Sequence, residues 1–131
     1  MQGLHLIADL HECTCAPAFL LDAAALEKHC VEACRRHGLT VVGRFFHQFA
    51  DAAGNPSGVT GTVVLAESHL AIHTWPEMSG VTLDIYVCNF SADNSAAARA
   101  LFAEMKTTFA PRRSEEQAVL RGALQPEIAR S

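Results

Sequence analysis

The chain has 131 residues, half of them hydrophobic and 18% charged, with a formal net charge of -4. That length and composition fit one domain (1–131) with a real core and argue against disorder. The acidic balance leaves no electrostatic footprint for nucleic acid. No apolar run approaches a membrane span, and the start lacks the basic and apolar regions of a signal peptide, so a cytoplasmic protein with no membrane partner is expected.

Residues 4–10 (LHLIADL) read as a strand and 11–17 as a loop. A helix follows over 21–37, with Asp22 as N-cap or first-turn acid and Leu26, Cys30, Ala33 and Cys34 as its apolar stripe. Arg35, Arg36 and His37 crowd its last turn, and Gly38 stops it. Residues 39–49 (LTVVGRFFHQF) are β-branched and aromatic, a strand in which Gly43 marks a bulge. A loop by composition (50–58) separates it from a strand over 59–66. The chain stays extended over 70–75, and Pro76 closes that run. A turn (78–80), a strand (81–87) and a second helix (91–109) come next. Asp93 or Ser95 could cap this helix; Ala97, Leu101, Met105 and Phe109 form its stripe, and Pro111 ends it. The last stretch is weakly patterned, with a short edge strand at 118–120 and a frayed end.

This order predicts an α+β fold: a two-layer α/β sandwich, mainly an antiparallel sheet with two helices on one face. The other face then needs a cover, which makes a homodimer the expected assembly.

The five cysteines, Cys13, Cys15, Cys30, Cys34 and Cys88, are odd in number and read as free thiols. Cys13 and Cys15 are too close for a zinc knuckle. Cys30 and Cys34 share a helix face beside His29 and His37, but cysteine as a small core residue is the plainer account.

The unusual stretch is 66–77, AESHLAIHTWPE, where a strand gives way to acids, imidazoles, a hydroxyl and an indole. Three chemistries compete for it. In an unbroken strand Glu67, His69 and His73 share a face, as metal ligands could, though half-buried histidines with ordinary hydrogen-bond partners explain the spacing better. Ser68 with His69, His73 and Asp84 could form a hydrolase, but the glycine-flanked elbow is missing. Thirdly, Ser68 could attack the carbonyl of Glu67. An N-to-O acyl shift, loss of the Ser68 α-proton with expulsion of the Glu67 carboxylate, and hydrolysis with release of ammonia would leave a pyruvoyl group. Such a ketone forms Schiff bases and acts as an electron sink. This last reading accounts for a serine, a base and a strand break occurring together. Ser68 and His73 are five residues apart, so strict alternation places them on opposite faces, and the backbone is expected to leave ideal β geometry between Glu67 and Ser68.

The run ESHLAIHTWPE (67–77) closely resembles the processing site of the prokaryotic S-adenosylmethionine decarboxylase proenzyme family, pyruvoyl enzymes of polyamine (spermidine) synthesis. Further blocks resemble the family in the right order: HLIAD (5–9), FHQF (46–49), GVTG (58–61) and DIYVC (84–88). The resemblance implies cleavage between Glu67 and Ser68, giving a β chain (1–67) and an α chain (68–131) that begins with pyruvoyl, the only cofactor; no metal is expected. It implies that His73 is the processing base and that Cys88 is the proton donor to the substrate. Glu77 would hold the ribose hydroxyls, with Phe49 and Trp75 lining the pocket. The family forms αβ dimers or larger assemblies with residues of both protomers around each site.

Three departures stand out. Thr60 replaces the serine that assists the acyl shift, keeping the hydroxyl but stiffening χ1. The loop before Gly58 is longer than in compact members. After Glu77 the family's Tyr-Gly-Tyr-Ala-Ala-like run becomes MSGVT (78–82), and Val87 and Asn89 flank the cysteine where Thr and Gly are frequent. Some members of the family decarboxylate arginine or ornithine instead; for such cations Glu77, Asp84 and Asp51 are the candidate acids. A non-catalytic homologue that binds a partner subunit or a polyamine-like effector is the reading from a different class.

Overall fold

A computed structural model of the chain describes residues 2–90 and 92–122. Its elements run β1 (Gly3–Cys13), α1 (Ala18–Leu21), α2 (Ala23–Arg36), β2 (Val41–Ala50), β3 (Pro56–Leu65), β4 (Ser68–Trp75), a 3-10 turn (Pro76–Met78), β5 (Gly80–Cys88), α3 (Ser95–Phe109) and β6 (Pro111–Arg121). The strands pair antiparallel in one sheet, ordered β2-β3-β4-β5-β1-β6. α2 packs on β2 and β3, and α3 on β1 and β5, so the helices share one face. The expected α+β sandwich is the observed architecture.

The core lies between the layers. α2 contributes Leu26, Cys30, Ala33 and Cys34, the stripe read from the sequence, and α3 contributes Leu101, Met105 and Phe109. Against them lie alternate residues of the central strands: Leu4, Leu6, Leu10, Val63, Leu70, Ile72, Leu83 and Ile85. Burial pushes the Cys34 thiol up to about 12, and Cys30 higher still, as befits inert core residues.

Several boundaries differ from the sequence reading. The helix expected over 21–37 is two helices, which makes three in all among the described residues. Asp22 is extended (φ -112°, ψ 110°) and breaks the run after α1. Its carboxylate accepts N–H bonds from Ala24 and Ala25, the cap that starts α2. α3 begins at Ser95, not 91, with the Asp93 carboxylate accepting the Ser95 N–H. The bulge at Gly43 is present: the β2/β3 register slips between Val41 and Gly43. The loop over 50–58 contracts to 51–55, because the Asp51 carboxylate accepts N–H bonds from Ala53 and Asn55 and folds the segment into a tight turn. The largest miss is β6. It runs from Pro111 to Arg121 where only 118–120 was expected, and it satisfies the outer edge of β1. The frayed end falls outside the described residues.

Among the described residues, the second face of the sheet carries no helix. Along β4, Leu70, Ile72 and Thr74 are buried beneath the helices, whereas His69, Ala71, His73 and Trp75 alternate onto the open face. Phe45, Phe49 and Val64 are also exposed, the first to 69%.

Candidate active site

The strand break read from the sequence is a two-residue hairpin turn. Leu65 pairs with Ser68, leaving Ala66 and Glu67 between β3 and β4. Glu67 has φ +68°, a left-handed conformation that costs a side-chain-bearing residue about 1 kcal/mol or more. The backbone therefore leaves β geometry at the residue whose carbonyl would be attacked. The Ser68 hydroxyl folds back over the turn and donates to the Ala66 carbonyl at 3.1 Å.

Across β4, Ser68 faces Val87, so Cys88 is the next residue along the neighbouring strand. Cys88 is buried, and its backbone is held firmly. Its carbonyl accepts from Asn94 Nδ2 at 3.1 Å, and the N–H of Asn89 donates to the Gln2 carbonyl at 2.7 Å. Asn89 also accepts the Asn94 N–H and donates to the Ser95 hydroxyl. The Asn where the family often has Gly thus secures the segment between Cys88 and α3.

The other group lies at the far end of β4. Thr60 and His73 are opposite one another, with the Thr60 hydroxyl 3.3 Å from His73 Nε2. The His73 and Trp75 rings lie 6.3 Å apart. A cleft of about 420 Å³ opens beside them, lined by Phe49, Ser57, Gly58, His73, Trp75 and Glu77. His47 packs edge-on against Phe49 at 4.7 Å. The loop that ends at Ser57 follows Phe49 and so was expected near the mouth of the pocket, whereas Gly58 was not singled out for the cleft; the hairpin that brings both beside Trp75 is a tertiary fact.

Ser68 and Cys88 are thus close along the backbones of adjacent strands, with Cys88 projecting from the face opposite Val87 and Ser68 by alternation, and Thr60, His73, Phe49, Trp75 and Glu77 are together, but the two groups are apart. Five residues of strand separate Ser68 from His73, about 17 Å at ~3.3 Å per residue. The two side chains also leave opposite faces of β4.

The rival readings of the stretch lose their geometry. Glu67 sits in a turn, so it does not line up with His69 and His73, and no group of three His, Cys, Asp or Glu among the described residues could hold a metal. Asp84 serves neither His69 nor His73: His5 Nε2 is 3.1 Å from its carboxylate. Arg121, one residue past the edge strand expected at 118–120, donates to His5 Nδ1 at 3.1 Å, which leaves Nε2 facing Asp84. Tyr86 packs between the His5 and His69 rings with the Arg121 guanidinium 4.8 Å above it. Burial, with His5 nearby, holds His69 below the usual imidazole value. Of the three acids considered for a cationic substrate, Asp51 is engaged by its own loop, Asp84 by His5, and Glu77 alone lines the cleft.

No helix among the described residues is long and apolar enough to cross a membrane. In sequence, the chain is similar to the S-adenosylmethionine decarboxylase proenzyme of Fervidobacterium nodosum, 36% identical over 120 residues that cover 92% of this chain and 80% of that one. It is likewise 36% identical over 97 residues to that of Thermodesulfovibrio yellowstonii, covering 74% of this chain and 67% of the relative. In structure it is similar to the crystal structure of the adenosylmethionine decarboxylase from Aquifex aeolicus, with a TM-score of 0.80 and 29% identity over 95% of this chain and 94% of that one. The family profile described as S-adenosylmethionine decarboxylase matches residues 4–122, so the chain belongs to that family.

Proposed function

We propose that this protein is a pyruvoyl-dependent decarboxylase of S-adenosylmethionine, made active by cleavage of its own chain between Glu67 and Ser68. The observation that carries the reading is the left-handed Glu67 in a two-residue turn, followed at once by a serine whose hydroxyl reaches back over that turn. Ser68 Oγ attacks the Glu67 carbonyl carbon; the C–N bond breaks and an ester forms. A base removes the Ser68 α-proton, the Glu67 carboxylate departs, and the resulting dehydroalanine takes up water and releases ammonia. The residues at this position fit a pyruvoyl group, which would supply a carbonyl for the substrate amine and an electron sink for loss of carbon dioxide. Cys88, beside residue 68 on the next strand, gives its Sγ proton to the substrate α-carbon. Glu77 binds the ribose hydroxyls, and Phe49 and Trp75 hold the adenine or the sulfonium. The product serves spermidine synthesis.

The distance between the two groups supports a site shared by two copies. With His73 about 17 Å along the strand from Ser68, the base that reaches Ser68 comes from a second protomer, and so does the cleft that faces its pyruvoyl group. The uncovered, partly aromatic sheet face is where that copy stacks, giving a homodimer of αβ units. Thr60, hydrogen-bonded to His73, assists the acyl shift from the same side.

Mass spectrometry of the purified protein tests the cleavage: two fragments divided after residue 67, with a pyruvoyl mass on the second, are expected, whereas a chain that stays intact on prolonged incubation favours a binding subunit. Carbon dioxide release is then compared for S-adenosylmethionine, arginine and ornithine. S-adenosylmethionine is expected to turn over fastest, because Glu77 is the only one of the three candidate acids that lines the cleft.

A further inference from the structure

Two side chains suspend the floor of the cleft from the helix layer, and neither has a place in the chemistry above. Thr74 is buried, at 6% exposure. Its hydroxyl accepts the Val59 N–H at 2.9 Å and donates to the Leu20 carbonyl, at the end of α1, at 2.7 Å. Gln48 works in parallel from β2. Its Oε1 accepts the N–H of Ala23, one of the helix-end donors that α2 itself cannot satisfy, at 2.8 Å. Its Nε2 donates to the carbonyls of Gly58 and Phe49, both at 3.0 Å. The corner between α1 and α2 is thereby tied to Gly58 and Val59, the strip of β3 that lines the cleft.

The alternation of the strands gives these ties leverage. Thr74 points inward between His73 and Trp75, and Gln48 points inward between His47 and Phe49. Each therefore fixes the backbone from which two outward neighbours project. There is little slack. Gly58 has φ +148°, and a Cβ there would lie 3.1 Å from the Thr74 carbonyl and 3.4 Å from Pro76. A buried hydroxyl bonded on both sides also leaves two unsatisfied backbone groups when it is removed.

We propose that Gln48 and Thr74 are positioning residues for substrate recognition, holding Phe49, Trp75 and the Gly58 floor at a fixed spacing from the α1–α2 corner. This rests on the reading of the cleft as the substrate site. The scissile turn lies at the far end of β4 from Thr74, but His73, the proposed processing base, is Thr74's neighbour, so complete cleavage is the check that His73 keeps its place.

The test compares processed Thr74→Val and Gln48→Glu enzymes with wild type on S-adenosylmethionine. Valine keeps the shape of threonine; glutamate keeps the acceptor for Ala23 but loses both donors. KM is expected to rise at least about fivefold while kcat stays within about twofold and cleavage goes to completion, the signature of lost ground-state binding. Thr74→Ser is expected to bring KM back to within about twofold of wild type. The emission of Trp75, the only tryptophan, is expected to shift in Thr74→Val and return in Thr74→Ser. Trp75→Ala is the control: if it leaves KM unchanged, the cleft is not the substrate site and the proposal falls with that reading. If Trp75→Ala raises KM while Thr74→Val and Gln48→Glu keep the wild-type value, positioning alone is overturned. A rise that follows lost melting temperature and that Thr74→Ser does not reverse also overturns it. Should Thr74→Val fail to fold, Gln48→Glu decides alone, since Gln48 lies half-buried on an edge strand.

Discussion

The two ends of β4 belong to one strand and yet differ in every physical respect. At the Ser68 end the backbone is strained, the nucleophile is small, and the neighbouring Cys88 is buried and tied down through Asn94. At the Trp75 end the backbone is regular until Pro76, the side chains are large and half-open, and a cleft is present. Strain and a small nucleophile suit a single bond-breaking event. An open aromatic cleft suits repeated binding and release. On the proposed reading, one copy of the chain holds two half-sites and a second copy joins them.

The largest expected effect breaks that comparison outright. Ser68→Ala and His73→Ala chains, each expressed alone, should remain uncut. Co-expressed, the His73→Ala chains should be cleaved, because the Ser68→Ala partners still supply His73; gel electrophoresis with one chain tagged reads the result. Uncut chains in a verified mixed dimer would place the action of His73 within its own protomer. Next in size is Cys88→Ala, which should spare cleavage but lower kcat by roughly 10²–10⁴, the usual worth of a general acid. If cleavage is lost as well, Cys88 belongs to the processing step. Trp75→Ala should act only at the other end. A stacked cation contributes roughly 0.5–2 kcal/mol, so KM should rise between about twofold and thirtyfold, with cleavage complete.

The smallest effect concerns pH. Burial holds the imidazole of His69 below its ordinary value, so the unfolded chain takes up this proton more readily than the folded one. The corresponding stability is present above the unfolded value near ~6.5 and is lost as pH falls through the folded value. In a Ser68→Ala background, which removes cleavage from the measurement, the urea midpoint should drop from pH 7.5 to 5.5. His69→Gln should flatten that slope, and an equal slope in both proteins would clear His69 of the role.

Much of this was legible in the residues. The apolar stripes of α2 and α3, the bulge at Gly43 and the break before Ser68 each follow from local periodicity or turn chemistry. So does the placement of Ser68 and His73 on opposite faces, a matter of counting alternate residues. β6 was legible only at 118–120, because five of its eleven residues (PRRSEEQAVLR) are charged and most of these precede that apolar patch. An edge strand that meets α3 through the Lys106–Glu116 ion pair has little apolar signal to give, and its charges guard the edge. The break at Asp22 was half legible: the cap was read, but the short α1 before it was not. Gln48 and Thr74 could not be found by inspection, since their partners lie 25 and 54 residues away in the chain. The same holds for Arg121, whose partner His5 is 116 residues distant.

The strand order has a further consequence for a chain cut after residue 67. The first fragment would hold β1, β2 and β3, and the second β4, β5 and β6. Yet β1 lies between β5 and β6, and β3 lies against β4. The fragments would be interlaced, each gripping a strand of the other. The cut would open only a hairpin loop and, apart from the bond of the Ser68 N–H, whose nitrogen leaves as ammonia, keep the ladders in place, so the halves could part only by unfolding. Each protomer would then unfold into two chains instead of one: the melting temperature of the cut protein would depend more steeply on concentration than that of the uncut protein, and refolding from denaturant would require two separate chains to find each other and knit a common sheet.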